Sequence, residues 1–244
     1  MKSKDDSITY GRTSICFKIE RTARRKTIGV TVEPNASVRV SVPKGTRHVR
    51  VVDAVRKKAK WILEQQERFR RLNVSYPREF VSGETFYYLG RQYTLKVQAS
   101  SPNGSPIVKL YGGRLCVLLP VLSDEDKQVQ VRGGLICWYR DHARTYLPTL
   151  LDSYCRMLGS QYRTLRIVDF KKRWASTSVN GTIRISWRIM MAPRRILTYV
   201  VAHEVCHLIH PSHSPVFWRT LQRLLPGYVA LKNELEQIGP TFVW

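Results

Sequence analysis

Four of the six histidines lie between residues 203 and 213, in the stretch HEVCHLIHPSH. Its first five residues form the pattern HExxH. On an α-helix, positions i and i+4 lie one turn apart on the same face, so the imidazoles of His203 and His207 can bind one ion. Imidazole nitrogen is a preferred zinc ligand, and catalytic zinc sites take three protein ligands. The pattern therefore predicts a zinc centre with one ligand still to be found.

The glutamate inside the pattern has a different predicted role. Glu204 lies beside both histidines, where its carboxylate can take a proton from a zinc-bound water as a general base. The surrounding helix is apolar nearly all round, which indicates that it is buried. Two imidazoles and a carboxylate buried without partners would cost on the order of several kcal/mol. A divalent cation would satisfy all three groups.

Two histidines compete for the third ligand position. Pro211 cannot continue a helical hydrogen-bond ladder, so the helix is expected to end before it. His213 follows that turn, and a chain that folds back there brings its imidazole to the metal. His210 lies nearer to the helix and is the alternative. The spacing favours His213.

The first half of the chain predicts strands and one basic helix. Three short alternating runs occupy residues 14–43, and the later stretches SGETFYYLGRQYTLKV and GRLCVLLP also have strand patterns. Between them, HVRVVDAVRKKAKWILEQQERFRRL repeats apolar residues at helical spacing beneath a basic face. We expect a β-rich N-terminal subdomain over residues 1–122.

The second half predicts the elements that position the histidines. A helical pattern begins at residue 123, with a kink or break expected at Pro148. Two strands, TLRIVDF and GTIRISWR, precede the histidine helix, and Pro193 occupies a favoured first-turn position of that helix. Residues 123–244 are thus expected to form a second subdomain, and the fold class is α+β.

The charge of the chain is strongly positive. Forty-one Lys and Arg residues against 18 Asp and Glu give a formal net charge of +23, and the excess is spread along the sequence. Such a surface attracts polyanions, including nucleotides, nucleic acid and acidic protein surfaces. A solvated cationic surface without a specific partner is the alternative.

The cysteines and the apolar stretches bear on location. The five cysteines are odd in number and form no CxxC pair, which favours free thiols in a reducing cytoplasm over a disulfide framework. No stretch approaches the roughly 18 apolar residues of a membrane span, and no signal peptide is evident. A cytoplasmic protein without membrane association is expected.

Nearly the whole chain resembles the YgjP-like (WLM) metallopeptidase family. The resemblance lies in KKAKWILEQQ, VSGETFYYLGRQYTLKV and WYRDHARTYLP, and most specifically in KKRWASTSVNGTIRISWRIMMAPRRILTYVVAHEVCHLIHPSHSPVFWRTL. The closing family pattern His-Ser-x-x-Phe-Trp begins here at His213. The resemblance implies that His213 is the third metal ligand. It also implies a zincin-like catalytic subdomain, with the HExxH helix beside a small sheet and TIRISWR as the strand nearest the cleft.

The chain departs from the family pattern at two positions. Where the family typically reads Arg-Trp-Gly-Ser-Cys-Ser, this sequence reads RWASTS, with Thr177 at the cysteine position. Gly227 stands where the family usually has an aspartate. No family role carries over to either residue, and neither change touches the expected ligands.

These observations lead to three functional hypotheses. The first is a zinc metallopeptidase with one zinc per chain, held by His203, His207 and His213, in which Glu204 activates the zinc-bound water against a peptide or protein substrate. We expect an extended peptide to pair with an edge strand near residues 183–187. The alternative is a metal-dependent nucleoside-triphosphate pyrophosphatase of the UTP type, an activity associated with part of the family. The third is a nucleic-acid-associated protease or binding module.

Overall fold

A computed structural model of the chain describes residues 3–23, 25–33, 35–71, 78–99, 105–120, 124–170, 173–242 and 244. Its contacts divide the chain into two compact units, Met1–Pro77 together with Trp244, and Arg78–Val243. Both units combine helices with small sheets, which confirms the expected α+β class. The predicted domain boundary between residues 122 and 123 lies outside the described residues and stays a prediction.

The first unit is a four-stranded sheet packed against two helices. The strands follow the order β1-β2-β4-β3, and alternate residues of β2 and β4 are buried beneath the helices. The predicted single basic helix is interrupted at Lys58 and forms two helices. The elements are β1 (Ser3–Tyr10), β2 (Thr13–Thr22), β3 (Gly29–Val32), β4 (Val38–Pro43), α1 (His48–Lys57) and α2 (Ala59–Arg71).

The second unit begins with a sheet of the same topology. Its strands follow the order β5-β6-β8-β7, so each sheet has a parallel central pair flanked by two antiparallel pairs. The two units therefore repeat one strand arrangement, although the sequence shows no internal repeat. The strands are β5 (Thr85–Tyr88), β6 (Arg91–Ala99), β7 (Ile107–Tyr111) and β8 (Arg114–Leu119).

A long helix follows, α3 (Asp124–Leu158), and it continues through Pro148 without a break. The neighbouring side chains of Leu147 and Leu151 are fully buried, and this burial offsets the ladder hydrogen bond that proline removes. Of the kink or break expected at Pro148, the break is excluded and the kink stays a prediction. None of the described helices is long and apolar enough to cross a bilayer.

The remaining elements surround the histidine helix. They are β9 (Thr164–Val168), β10 (Ala175–Thr177), β11 (Thr182–Ser186), a 3₁₀ turn (Trp187–Met191), α4 (Arg194–Cys206), α5 (Pro215–Leu224), α6 (Tyr228–Ile238) and a second 3₁₀ turn (Gly239–Phe242). All five cysteines of the chain are free thiols. The cytoplasmic location inferred from them stays a prediction.

The third sheet corrects one expectation about substrate binding. Its order is β10-β11-β9, so β11 pairs with a strand on each side and is not an edge. Ile183 and Ile185 of β11 are fully buried, as befits a central strand. The edge beside the histidine helix belongs instead to the short strand β10, whose small polar residues gave no strand signal.

A hairpin turn fixes the start of α4. The backbone N–H of Leu89 donates to the carbonyl of Met190 at 2.7 Å, and that of Gly90 donates to Met191 at 3.2 Å. Gly90 has φ +82°, and a Cβ there would lie 2.8 Å from the Cα of Pro193. The β5–β6 turn thus lies directly against Pro193, which is the N-cap of the histidine helix and not the first-turn residue that the sequence predicted.

Candidate metal centre

The helix α4 carries the first two predicted ligands at its C-terminal end. His203 lies in the last turn, and His207 is the C-cap residue, whose backbone N–H donates to the carbonyl of His203 at 3.3 Å. The helix is buried along most of its length. Because the carbonyl end of a helix carries partial negative charge, this position favours a cation.

The Nε2 atoms of the three predicted ligands converge. The Nε2 atom of His213 lies 3.0 Å from that of His203 and 3.1 Å from that of His207. Nitrogens around a tetrahedral zinc, at bonds of about 2.0–2.1 Å, lie about 3.3 Å apart, so the donor set fits one zinc ion. In the described part of the chain, this is the one group of three metal-ligating side chains with such an arrangement.

A capped turn brings His213 back over α4. The helix α5 begins at Pro215, and its N-cap is Ser214, whose hydroxyl accepts a hydrogen bond from the backbone N–H of Phe217 at 3.4 Å. Serine at the N-cap with proline at the first helical position is a strong helix start. Since His213 directly precedes this cap, the start of α5 fixes the place of its imidazole.

The alternative ligand, His210, is turned away from the cluster. Its Nε2 atom lies 3.1 Å from the hydroxyl of Thr220 on α5. Its backbone carbonyl accepts a hydrogen bond of 3.0 Å from Nδ1–H of His207. That bond fixes the tautomer of His207 and leaves Nε2 with its lone pair toward the cluster. This supporting contact is made by the main chain, so the residue types alone did not indicate it.

The environment of His203 and His207 favours their neutral imidazoles. Burial, and after it the nearby His207, His213 and Lys232, together lower the pKa of His203 to about 3. Burial also lowers the pKa of His207, against the opposing effect of its bond to the His210 carbonyl. A neutral imidazole is the form that binds a metal ion.

The carboxyl of Glu204 is buried next to the histidines and held from β10. Its exposed fraction is 6%, and its Oε2 atom accepts a hydrogen bond of 2.7 Å from the hydroxyl of Thr177. Burial raises the pKa of Glu204 to about 7, against the opposing effects of Thr177 and Arg173. A carboxyl with a pKa near neutrality can both accept and release a proton. A lone threonine in a short polar strand carries no sequence signal for this contact.

Two aromatic residues of α5 pack against the imidazoles. The Phe217 ring is fully buried, with its centroid 5.0, 4.6 and 4.9 Å from those of His203, His207 and His213. Trp218 stacks on His213 at 5.3 Å with an interplanar angle of 21°. These rings restrict the rotation of the three histidine side chains. The Phe-Trp pair of the closing family pattern was the sequence signal for these two aromatic residues.

Similarity to one protein family agrees with the class of this site. This chain is similar to a crystal structure described as the metallopeptidase zymogen of Pyrococcus abyssi abylysin, with 25% sequence identity and a TM-score of 0.35. The match covers 38% of this chain and 94% of the abylysin chain. No curated protein matches the sequence. The family model described as YgjP-like, metallopeptidase domain matches residues 26–238. The chain belongs to the YgjP-like metallopeptidase family.

Proposed function

We propose that this chain is a zinc-dependent metallopeptidase that hydrolyses peptide bonds in a peptide or protein substrate. The observation that carries the proposal is the convergence of three imidazole Nε2 atoms beside a buried carboxyl. His203, His207 and His213 would hold one zinc ion per chain. A zinc ion there supplies Lewis acidity toward a water molecule and the scissile carbonyl. Three protein ligands leave a coordination position free, as catalytic sites require.

Glu204 is the general base of the proposed reaction. Its carboxylate takes a proton from the attacking water and passes that proton to the departing amine. Because the Thr177 hydroxyl already occupies Oε2, the other oxygen, Oε1, is the one that receives the proton. A pKa near 7 supports both halves of this transfer.

The open edge of β10 is the proposed place for the substrate backbone. The carbonyl of Trp174 accepts a hydrogen bond of 2.7 Å from the backbone N–H of Ser186 on the β11 side. In antiparallel pairing every second residue directs its backbone groups to the partner strand, so the backbone N–H and C=O of Ser176 also point to β11. Ala175 and Thr177 therefore direct their backbone N–H and C=O groups to the open side. An extended peptide pairing there would pass beside Glu204.

Substitution of the base tests this proposal. In Glu204→Gln we expect zinc at about one per chain, as in the wild type, and peptide hydrolysis lowered at least about 100-fold because the proton acceptor is lost. The matched control is Glu64→Gln, which removes an exposed carboxylate of α2 and should leave the rate unchanged. Undiminished hydrolysis by Glu204→Gln, or hydrolysis by zinc-free protein, would refute the assignment.

The same samples separate the peptidase from a nucleoside-triphosphate pyrophosphatase of the UTP type. The clustered donors are imidazoles, whereas magnesium at phosphate-processing sites prefers oxygen ligands. We therefore expect cleavage in a peptide panel and no pyrophosphate release from nucleoside triphosphates. Pyrophosphate release from UTP without any peptide cleavage would replace the peptidase proposal.

A specific surface favours nucleic acid as a partner of this protein. Four cations are exposed around the junction of α1 and α2: Arg56, Lys57, Lys58 and Lys60. No acidic residue lies between residues 54 and 63. Trp61 is 41% exposed beside these cations, and Lys58 Nζ lies 5.8 Å from its ring centroid. Cations neutralise phosphates and an exposed aromatic ring stacks on an unpaired base. The proposed partner is single-stranded nucleic acid.

A further inference from the structure

One hydroxyl of the edge strand β10 is directed at the proposed base. Thr177 Oγ1 lies 2.7 Å from Oε2 of Glu204 and 3.0 Å from its backbone carbonyl oxygen. A hydroxyl has a single proton to donate, and an ionised carboxylate is the stronger acceptor of the two. The hydroxyl thus binds the side chain of Glu204 while also lying against its main chain.

We propose that Thr177 is a positioning residue that sets the orientation of the Glu204 carboxylate. This inference rests on the proposed peptidase function of the same site. By donating to Oε2, the hydroxyl holds the carboxylate in one orientation and leaves Oε1 as the oxygen that accepts the proton. Threonine is β-branched, so few χ1 rotamers are open to it and the hydroxyl direction is well defined.

The carboxylate depends on this one contact. Among the hydrogen bonds of the described residues, that from Thr177 is the one that reaches the Glu204 side chain, and the carboxyl is only 6% exposed. A buried carboxylate without a donor loses both its fixed orientation and its hydrogen-bond partner.

Thr177 also connects the base to the proposed substrate edge. Its backbone N–H and C=O groups face the open side of β10, while its side chain faces α4. One residue therefore fixes the register of a bound peptide through its main chain and the orientation of the base through its side chain. The two roles are separable, because a side-chain substitution leaves the backbone groups in place.

The test compares two side-chain substitutions at Thr177 with one at a neighbour on the same strand. Thr177→Val keeps the shape and removes the hydroxyl, whereas Thr177→Ser keeps the hydroxyl. Ser176→Ala is the matched control, since Ser176 lies on β10 with its side chain on the opposite face. For each protein we would measure zinc content, kcat and KM for a cleaved peptide, and the crystal structure of the zinc-loaded form.

We expect Thr177→Val to retain zinc and to lose kcat by about 10–100-fold, the usual effect of removing a supporting hydrogen bond. Its KM should stay within about 2-fold of the wild type because the backbone edge is intact. Thr177→Ser and Ser176→Ala should retain the wild-type kcat. In crystals of Thr177→Val, the Glu204 carboxylate should be rotated away from its wild-type position.

Three results would overturn the inference. The first is a wild-type kcat in Thr177→Val, and the second is an unmoved Glu204 carboxylate in the crystal structure of that variant. The third is loss of zinc from Thr177→Val and Thr177→Ser alike, which would indicate that Thr177 serves the fold alone. If the wild type binds zinc but cleaves no peptide, the peptidase proposal fails on its own. The position of Glu204 in the paired crystal structures still decides the role of Thr177. Thr177→Ala supplies the same contrast if the valine does not fit.

Discussion

At the scale of single residues, the four clustered histidines have unequal roles. Three direct Nε2 to one point, whereas His210 contributes its carbonyl to His207 and directs its ring to Thr220. The sequence could favour His213 over His210 because Pro211, which lies between the two, forces a turn. It could not indicate the carbonyl contact, since every residue has a carbonyl and only the folded turn aims this one at Nδ1 of His207.

Removing each imidazole in turn tests that difference. We expect His213→Ala to lower the zinc content from about one per chain to well below one, because a single ligand in three is lost. His210→Ala should retain zinc, since alanine keeps the backbone carbonyl. Elemental analysis of both purified variants decides, and zinc lost from His210→Ala but kept in His213→Ala would contradict the assignment.

The ring of Phe217 should matter to the metal as well as to stability. Phe217→Ala is expected to lower the free energy of unfolding by about 3–5 kcal/mol and also to weaken zinc binding, since the ring contacts all three imidazoles. Leu221→Ala is the control. Leu221 is fully buried on the same helix, so its loss should cost about 2–5 kcal/mol with little change in zinc affinity. Chemical denaturation measures the stability of both variants, and zinc titration measures their zinc affinity. Equal zinc affinities in the two variants would show that the Phe217 ring is only a core residue.

At the scale of elements, prediction succeeded where apolar residues gave a clear signal. The helix α4 is apolar on nearly all sides, β11 alternates isoleucine with polar residues, and most side chains of both are buried. The strands β1 and β10 carry mostly polar or small residues, and their pairing is imposed by the neighbouring strands. That is why the edge strand beside Glu204 was missed and the substrate edge was first expected at residues 183–187.

The turn that supports α4 gives a prediction at this scale. Gly90 and Gly227 have nearly equal φ angles, +82° and +83°, but only a Cβ at Gly90 would meet other atoms, 2.8 Å from Pro193. Both alanine variants should lose about 1 kcal/mol from backbone strain. Gly90→Ala should lose a further 1–3 kcal/mol or so through overpacking. Urea denaturation measures both, and equal losses would show that the contact with Pro193 yields at little cost.

At the scale of the whole molecule, the charge of +23 is the dominant property. It was evident from composition, but composition could not show which cations are exposed together beside an aromatic ring. The described surface locates such a group at the junction of α1 and α2, around Trp61. The repeated strand order of the two four-stranded sheets was equally hidden, because pairing order depends on contacts distant in sequence.

Salt titration tests nucleic-acid binding by this surface. The affinity for a fluorescent single-stranded oligonucleotide should fall linearly with salt on logarithmic axes, as counterions are released. Lys57→Glu should weaken binding more than Lys109→Glu, which changes the net charge equally at an exposed position on β7. Trp61→Ala should cost about 1–3 kcal/mol of binding free energy through lost stacking. Salt-independent binding, or equal effects of the two lysine variants, would refute the proposed surface.

The spacing of the site along the chain has a consequence for how the protein matures. The outermost imidazoles, His203 and His213, are only 10 residues apart, whereas Thr177 and Glu204 are separated by 27. Closing a short loop costs less chain entropy than closing a long one, and metal binding itself drives local ordering. A nascent chain is therefore expected to capture its metal before β10 docks on α4. The order of assembly would pass through a metal-loaded form whose base is not yet held, and that form should be less active than the folded protein.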